Sequence, residues 1–529
     1  MSQGVRLRAV VGIVLALYLA CGAGFIARTS FDSPDGRVFC LWDDAMISMQ
    51  YARNLAEGNG LVWNAGGDRV QGISNPAVTL VMAGLHLLPF GDRSISLAFQ
   101  LLNLLVLALA LVCTFRLART LVPGRASVWI GALLATALSG PLAVWSLRGS
   151  DMGFVTLWLL LGVQGIARAE TGQPGRLALR LALLGPGLLM RPDVALFYGL
   201  LIVAALRLGD RKAAVVGAAV AAVVIGGWMV AALVYYGDPL PNTYYLKATG
   251  HPRAAVLLKG IELIGLWVPY LIVPFGLAAA AIWTNRLRPT YLLCGAIIVA
   301  SLGYSLWVGG DWMAGHGIRY MVPMLPLLAI LMVEGAARAI DGLELGGAPG
   351  NRRAAIATVL VAGVLGALAN PPAARAEWLG GQAPELLPYN RGNYFFALYV
   401  ARHTDPSTSL GVRWAGAPIY FSRRPGVDFL GKSEPHIARL VVDDFRPGHS
   451  KWDWDHVLTR LHPDILTDDS LGLGERDDFR RDYVRVEKGD RHFYMRRGSL
   501  AKLHDPSVRL IDLETGRPIT RTEAGEAPR

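Results

Sequence analysis

Between residues 9 and 370 the chain alternates long runs of Leu, Ala, Val, Ile and Gly with short polar links. A helix that crosses a bilayer needs about 20 mainly apolar residues. Candidate stretches are 9–26, 73–89, 95–115, 127–145, 151–167, 177–190, 193–206, 213–235, 262–283, 290–307, 321–338 and 354–370. From residue 371 the pattern changes to short apolar pieces separated by turn residues and dense Arg, Asp, His and Lys. Within it VDFLG, ARLVVDD, HPDIL and RHFYM read as short strands, so residues 371–529 are expected to form a mixed α/β domain. The polar, turn-prone stretch 509–529 is expected to be loosely ordered.

Charge distribution fixes the expected topology. If all twelve stretches crossed, the links RLARTLVPGR (116–125) and RLGDRK (207–212) would lie outside, against the excess of Lys and Arg that cytoplasmic loops carry. Letting the short, proline-containing stretch 73–89 dip into the interface moves 116–125, 168–176, 207–212, 284–289 and 339–353 to the cytoplasmic side together. The expectation is a transmembrane domain over 1–370 with about eleven crossings and a cytoplasmic N-terminus. The first outer loop is 27–94, and residues 371–529 form an extracytoplasmic domain. Two stretches, 177–190 and 193–206, are short and flank RPD, as partly broken helices would.

Composition agrees: 53% hydrophobic residues and 17% charged, against about 25% charged in ordinary globular chains. The formal charge of +11 lies largely in the links, where it orients helices; no nucleic-acid partner is implied. Arg6 and Arg8 before 9–26 fit a signal peptide, but the many spans that follow favour an uncleaved first helix in a cytoplasmic (inner) membrane. Cys21, Cys40, Cys113 and Cys294 have no metal-ligand or disulfide-framework spacing.

Ionisable groups at a membrane are expensive and mark function. Here the candidates gather on the outer side. WDDAMISMQYARNLAEGNG (42–60) carries Asp43 and Asp44 ahead of a weak stripe of Ala45, Met49, Ala52 and Ala56, which predicts a surface-lying helix over 44–57 with Asp43, Gln50 and Asn54 turned away from that stripe. Acids there cap a helix, hold a divalent metal or remove a proton, and the pair alone does not choose. GNGLVWNAGGDRVQGISNP (58–76) is a glycine-rich loop ending near Asn75. YYGDPLPNTYYLK (235–247) brings Tyr244 and Lys247 to headgroup level. WVGGDWMAGHGIRYMVP (307–323) adds Asp311, His316 and Arg319; His316 lacks companion ligands for a metal and reads as a polar contact. Arg148 and Asp151 bracket an outer turn, and Arg191 begins another in which Asp193 is placed to pair with it. In the C-terminal part, 390–403 and 450–456 offer aromatic and polar groups suited to carbohydrate, although Trp452 and Trp454 equally suit a small core.

An acidic pair with several cations at a membrane surface suits a sugar carried on a lipid phosphate. The cations would hold the phosphate and stabilise its departure, while a carboxylate deprotonates the acceptor hydroxyl. A single displacement inverts the anomeric centre.

The stretch WDDAMISMQYARNLAEGNGLVWNAGGDRVQGISNP resembles the first outer loop of the GT-C superfamily of polyprenyl-phosphate-sugar-dependent glycosyltransferases, nearest to its mycobacterial terminal arabinofuranosyltransferase-like branch. YYGDPLPNTYYLK, GGDWMAGHGIRYMVPMLPLL, AGAPIYFSRRPGVDFLGKSEPHIAR and PGHSKWDWDHVLTRLHPDIL resemble that branch too, so the likeness runs through most of 35–470. It implies a polyprenyl-phosphate sugar donor, a cell-envelope glycan or glycoconjugate acceptor, and a base at Asp43 or Asp44, with Asp43 matching the leading acid of the family's pair. RGSDMGF (148–154) departs from the family pattern of an acid soon after a glycine. Three other functions compete: a lipid or solute transporter, a ligase or polymerase of lipid-linked glycans, and a non-catalytic scaffold. A transporter would carry polar groups deep in several spans and an internal repeat. Here the candidates cluster on one face.

Overall fold

The computed structural model describes residues 3–173, 176–311, 313, 319–342 and 352–525. Its first two-thirds is a helical bundle. Backbone groups in hydrocarbon must be satisfied within their own segment, and unbroken Leu/Ala/Val/Ile runs do this as helices. Six helices among the described residues are long and apolar enough to span: Val5–Thr29, Ile95–Leu121, Met152–Glu170, Arg211–Tyr236, Pro289–Trp307 and Arg319–Gly342. Three bent pairs bring the number to nine if each is one span: Ala126–Ala137 with Gly140–Leu147, Arg253–Gly265 with Val268–Thr284, and Arg353–Leu368 with Pro372–Leu379.

The two short stretches are too short for that criterion. One is a helix, Leu177–Leu184, passing into a tight 3-10 turn, Gly185–Leu189, at Pro186; the other is the helix Val194–Arg207. The expected dip at 73–89 holds an 11-residue helix, Pro76–His86. At 1.5 Å per residue this is about 16 Å, half the hydrocarbon thickness.

The C-terminal part contains a seven-stranded mixed sheet. Its spatial order is Gly426–Asp428, Leu410–Val412, Ile465–Leu466, Arg491–Arg496, Tyr483–Lys488, Arg509–Asp512 and Pro518–Ile519. The first three strands run parallel and the others pair antiparallel. Two expectations fail here. ARLVVDD forms no strand: the Val442 amide donates instead to Gly250 O at 2.9 Å, on the loop facing the bundle, and Val441 is 84% exposed. Nor are residues 509–525 loose, because Leu510 and Ile511 are buried and extend the sheet, followed by Pro518–Ile519 and a short helix, Arg521–Gly525; the rest of that stretch lies outside the described residues. The apolar pairs inside that polar stretch outweigh its average composition.

The element that positions the site is the helix Asp43–Ala56. It lies against Pro76–His86 on one side and against Ala417–Ser422 of the C-terminal part on another. Residues from Asp43 to Asn54 are buried except Asp44, so protein covers more of this helix than its apolar stripe. The polar side does turn from the apolar stripe, but into protein. Gln50 Nε2 donates to Trp63 O at 2.9 Å, and Asn54 Nδ2 to Val62 O and Trp63 O at 2.8 and 2.9 Å. Arg53 donates to Tyr420 O at 2.6 Å. The glycine-rich loop thus folds back as the roof of this helix. Gly72 allows it: a Cβ there would meet the Tyr51 hydroxyl at 2.6 Å and Ser433 Oγ at 2.7 Å.

Candidate active site

Asp43 and Asp44 open the helix Asp43–Ala56 and have opposite surroundings. Asp43 is 6% exposed. Its Oδ1 accepts from the amides of Gly416 and Ala417, both at 3.0 Å, and so caps the helix Ala417–Ser422 rather than its own. Its Oδ2 is buried with no hydrogen-bond partner among the described residues. Burial pushes the Asp43 carboxyl up to about 6, opposed by Lys432 and the two amides and helped by the neighbouring Asp44 charge. Asp44 carries cations on both oxygens: Lys432 Nζ at 2.6 Å on Oδ1 and Arg319 Nη1 at 3.3 Å on Oδ2. Burial opposes its ionisation, but Lys432, Arg319 and Lys247 outweigh that and hold its carboxyl well below the usual range.

Lys432 was not singled out from the sequence. It follows Gly431 in a turn built by Asp428, whose carboxylate accepts from the amides of Leu430 at 3.0 Å and Ser433 at 2.7 Å. The same turn grips the outer loop, since Asn242 Nδ2 donates to Gly431 O at 2.8 Å. Lys451, fully buried, donates to Tyr245 O, Thr249 O and Ala438 O at 3.0, 2.8 and 2.8 Å, fixing the helix Asn242–Ala248 that carries Tyr244 and Lys247. The only sequence signal for Lys432 was its place inside a family-like stretch, FLGKSEPHIAR.

Two cavities meet at this cluster. The larger, about 780 Å³, runs from the acids into the bundle. Asp44, Lys247, Arg319, Lys432 and Arg191 line its polar end; Leu196, Ala300, Gly303, Tyr304 and Trp307 line the other. Leu196 and Trp307 are 47% and 44% exposed on the bundle's lipid-facing flank. The smaller, about 50 Å³, lies between the acids and the C-terminal part. It shares Trp42, Asp44, Lys247, Arg319 and Lys432 with the larger one, and it alone is lined by Asp43.

The remaining sequence candidates divide. Arg319 also pairs with Asp311 at 3.0 Å and stacks on Trp42, with 5.1 Å from its guanidinium to the ring centre. Lys247 and Tyr244 line the large cavity, and among the described residues no carboxylate lies within ion-pair distance of Lys247. Asn75 lines it too, its Oδ1 accepting from Ser48 Oγ at 3.0 Å. Arg191 is on the wall but is held by Asp193 at 2.8 Å and Asp151 at 3.2 Å. Arg148 lies on neither cavity: its guanidinium is buried against Glu377 at 2.7 Å, tying the outer turn to Pro372–Leu379. As a phosphate contact it is corrected to a structural ion pair. His316 lies outside the described residues. In the C-terminal part, Asn390 and Asn393 of the segment singled out for carbohydrate line the small cavity together with Tyr389 just before it, whereas Trp454 packs on Phe429 with ring centres 5.0 Å apart.

Among the described residues, one oxygen of the pair, Asp43 Oδ2, is left without a partner. Lys432 and Arg319 already occupy both Asp44 oxygens, and two amides hold Asp43 Oδ1. Among the described residues no group of three His, Cys, Asp or Glu side chains is arranged to hold a metal.

No family model matches the chain. It is 28% identical over 334 residues to the terminal β-(1→2)-arabinofuranosyltransferase of Mycobacterium tuberculosis, covering 54% of this chain and 51% of that one. It is 26% identical over 339 residues to the enzyme of the same name from Corynebacterium glutamicum, covering 55% and 47%. The chain spans about half the length of the curated relatives it matches. The crystal structure of ArnT from Cupriavidus metallidurans bound to undecaprenyl phosphate superimposes with a TM-score of 0.60 at 16% identity, over 94% of this chain and 99% of that one. The chain is a multi-pass integral membrane protein with the fold of ArnT, and its sequence is similar to those of the terminal arabinofuranosyltransferases.

Proposed function

We propose that this chain transfers a sugar from a polyprenyl-phosphate donor to a glycan or glycoconjugate of the cell envelope, on the extracytoplasmic face of the cytoplasmic membrane, with inversion. The observation that carries this is the junction of the two cavities at an acid pair faced by Lys247, Arg319 and Lys432. The large cavity has the two-part character a lipid phosphate requires: an apolar flank toward the hydrocarbon and a cationic end. The undecaprenyl phosphate named in the ArnT structure supports a lipid-phosphate ligand, and the relatives' names support an arabinofuranosyl donor.

The chemistry divides between the acids. Asp44 touches two cations, which supports a role on the phosphate side. As the donor phosphate arrives, Lys432 and Arg319 shift part of their charge-assisted bonding from Asp44 to it and stabilise the anion as the C–O bond breaks. Asp43 lines only the small cavity, has a spare buried oxygen and binds its proton more tightly than an exposed acid. It accepts the proton of the attacking hydroxyl, which enters opposite the leaving phosphate. Asp43 is the base and Asp44 the group that positions the cations. The basic links support a cytoplasmic N-terminus and an extracytoplasmic C-terminal part.

The test is transfer by purified protein from a panel of labelled polyprenyl-phosphate sugars to cell-envelope acceptors, with the product's anomeric configuration read by NMR. Retention at the anomeric carbon, or folded protein inert toward every donor, would refute the proposal. A product extended by a preassembled chain would favour the ligase or polymerase reading.

A further inference from the structure

At the end of the bundle away from the acid pair, three guanidiniums lie together without a counter-charge. The helix Ile95–Leu121 starts at the site end, where Ser96 Oγ donates to Met46 Sδ at 3.7 Å, and Arg116 lies about 30 Å along it. The helix Met152–Glu170 starts beside Asp151 on the wall of the large cavity, and Arg168 lies about 24 Å along it. Arg180 belongs to the short helix Leu177–Leu184, and its side chain crosses the neighbouring Gly165, where a Cβ would meet Arg180 Cδ at 3.2 Å. Gly165 and Arg168 are one turn apart on one face, so Arg180 is drawn beside Arg168, and the two charges act on each other. The charges of Arg116 and Arg168 both reach the Cys113 thiol. Among the described residues none of the three guanidiniums makes a side-chain hydrogen bond, an ion pair or a ring contact. Gln164, one turn further in on the face of Arg168 and 4% exposed, makes no side-chain hydrogen bond either. The described acids of this end are already engaged: Glu170 by Arg288 at 2.7 Å, Glu334 by Arg338 at 2.6 Å, Asp341 by Arg125 and Asp210 by the Ala213 amide at 2.9 Å.

The ground around these residues faces lipid. Leu105 and Leu109 are exposed on the helix of Arg116, Leu161 is exposed two turns before Arg168, and Leu179 and Leu183 are exposed beside Arg180. Cations at the edge of hydrocarbon are costly without a partner, and two that repel each other are costlier still. We infer that this groove binds an anionic phospholipid of the leaflet opposite the acid pair, its phosphate held by Arg168 and Arg180 with Arg116 at the rim and its acyl chains along the leucines. Guanidinium forks match phosphate oxygens, and basic pockets between membrane helices take acidic headgroups. The leucines distinguish a lipid from a free phosphate, which has nothing to lay against them. A phosphate shared by Arg168 and Arg180 also ties down the short helix, of whose own side chains only Leu177 and Leu181 are buried. The inference is independent of the chemistry at the acid pair.

Full-length protein in neutral detergent is titrated with phosphatidylglycerol or phosphatidylcholine, and bound lipids are counted by native mass spectrometry with thermal unfolding followed in parallel. The first phosphatidylglycerol is expected to bind about tenfold more tightly than phosphatidylcholine and to raise the unfolding midpoint. Arg168→Gln with Arg180→Gln should bring the two lipids within about twofold of each other, whereas Arg168→Lys with Arg180→Lys should keep most of the preference. Arg180→Gln alone gives the same test should the double variant not fold. Lys432→Met, at the acid pair, should leave the preference intact, and inorganic phosphate at equal concentration should not displace the lipid. The inference is overturned if the wild type shows no preference or if the glutamine variants keep it. It is equally overturned if Lys432→Met abolishes the preference, which would put the lipid in the large cavity, or if inorganic phosphate displaces the lipid, which would make the ligand a soluble phosphate.

Discussion

Asp43→Asn separates what the acid does for the reaction from what it does to stability. The folded protein binds the Asp43 proton more tightly than an unfolded chain does, with a carboxyl raised from 3.8 to about 6. Because the shift is upward for an acid, the native state loses stability as pH rises from 3.8 to about 6 and carries the full penalty above that window. Roughly two pKa units correspond to about 3 kcal/mol, little screened at 6% exposure. The asparagine Oδ1 keeps the Gly416 and Ala417 amides, but its NH₂ replaces the unpartnered Oδ2 and costs about 1–2 kcal/mol as an unpaired buried donor. The variant should therefore be more stable than the wild type by about 1–2 kcal/mol at about pH 7.5, and less stable by a similar amount near about pH 4, where the wild-type acid is protonated. Transfer should fall about 10²–10⁴-fold above about pH 6, and by less as the wild-type acid takes up its proton. The assay pairs thermal unfolding of both proteins in the same detergent across that range with transfer from a labelled lipid-phosphate sugar. A variant that unfolds earlier than the wild type at the higher pH, or that transfers normally, would refute both the buried-charge argument and the assignment of the base.

Other outcomes follow from the same geometry. Wild-type kcat/KM should fall as pH drops through about 6, as Asp43 takes up its proton, and the limb should be absent from the residual rate of Asp43→Asn. Lys432→Met should lower kcat about 10²–10³-fold by removing charge stabilisation at the leaving phosphate. Adding Asp44→Asn to it should cost much less than the two single effects summed, because the groups touch at 2.6 Å. Arg148→Met should leave Glu377 buried without its guanidinium partner and cost about 3–5 kcal/mol in unfolding measurements, with donor and acceptor KM unchanged in the folded fraction. Gly416→Ala places a Cβ against the Asp43 carbonyl and Met46, and should reduce transfer with the acids themselves intact.

The clustering of these charged residues was legible because charge in an apolar chain is conspicuous. Asp43, Asp44, Lys247, Arg191 and Arg319 line the two cavities, as charge at headgroup level suggested. Lys432 and Trp414 were hidden for the opposite reason: they sit in a polar, mixed segment where a single lysine or tryptophan stands out little, and only folding brings Lys432 to Asp44 across 388 positions. The cover over the polar side of the helix Asp43–Ala56 was hidden on the same ground. Its weak amphipathic stripe indicated one covered face, but contacts from residues far along the chain cover the other. Arg148 shows the limit of reading charge alone, since its partner Glu377 is 229 residues away.

The Asp43 carboxylate closes the first turn of a helix that begins at Ala417, so the base and the C-terminal part fasten one another. Removing or exchanging everything after residue 370 would leave the bundle with a reactive acid whose orientation nothing sets and whose neighbour has lost its ammonium partner. Hybrids between relatives should therefore be cut with residues 414–451 kept beside the loop they grip, because the unit inherited together is the contact across the chain and not either half of it.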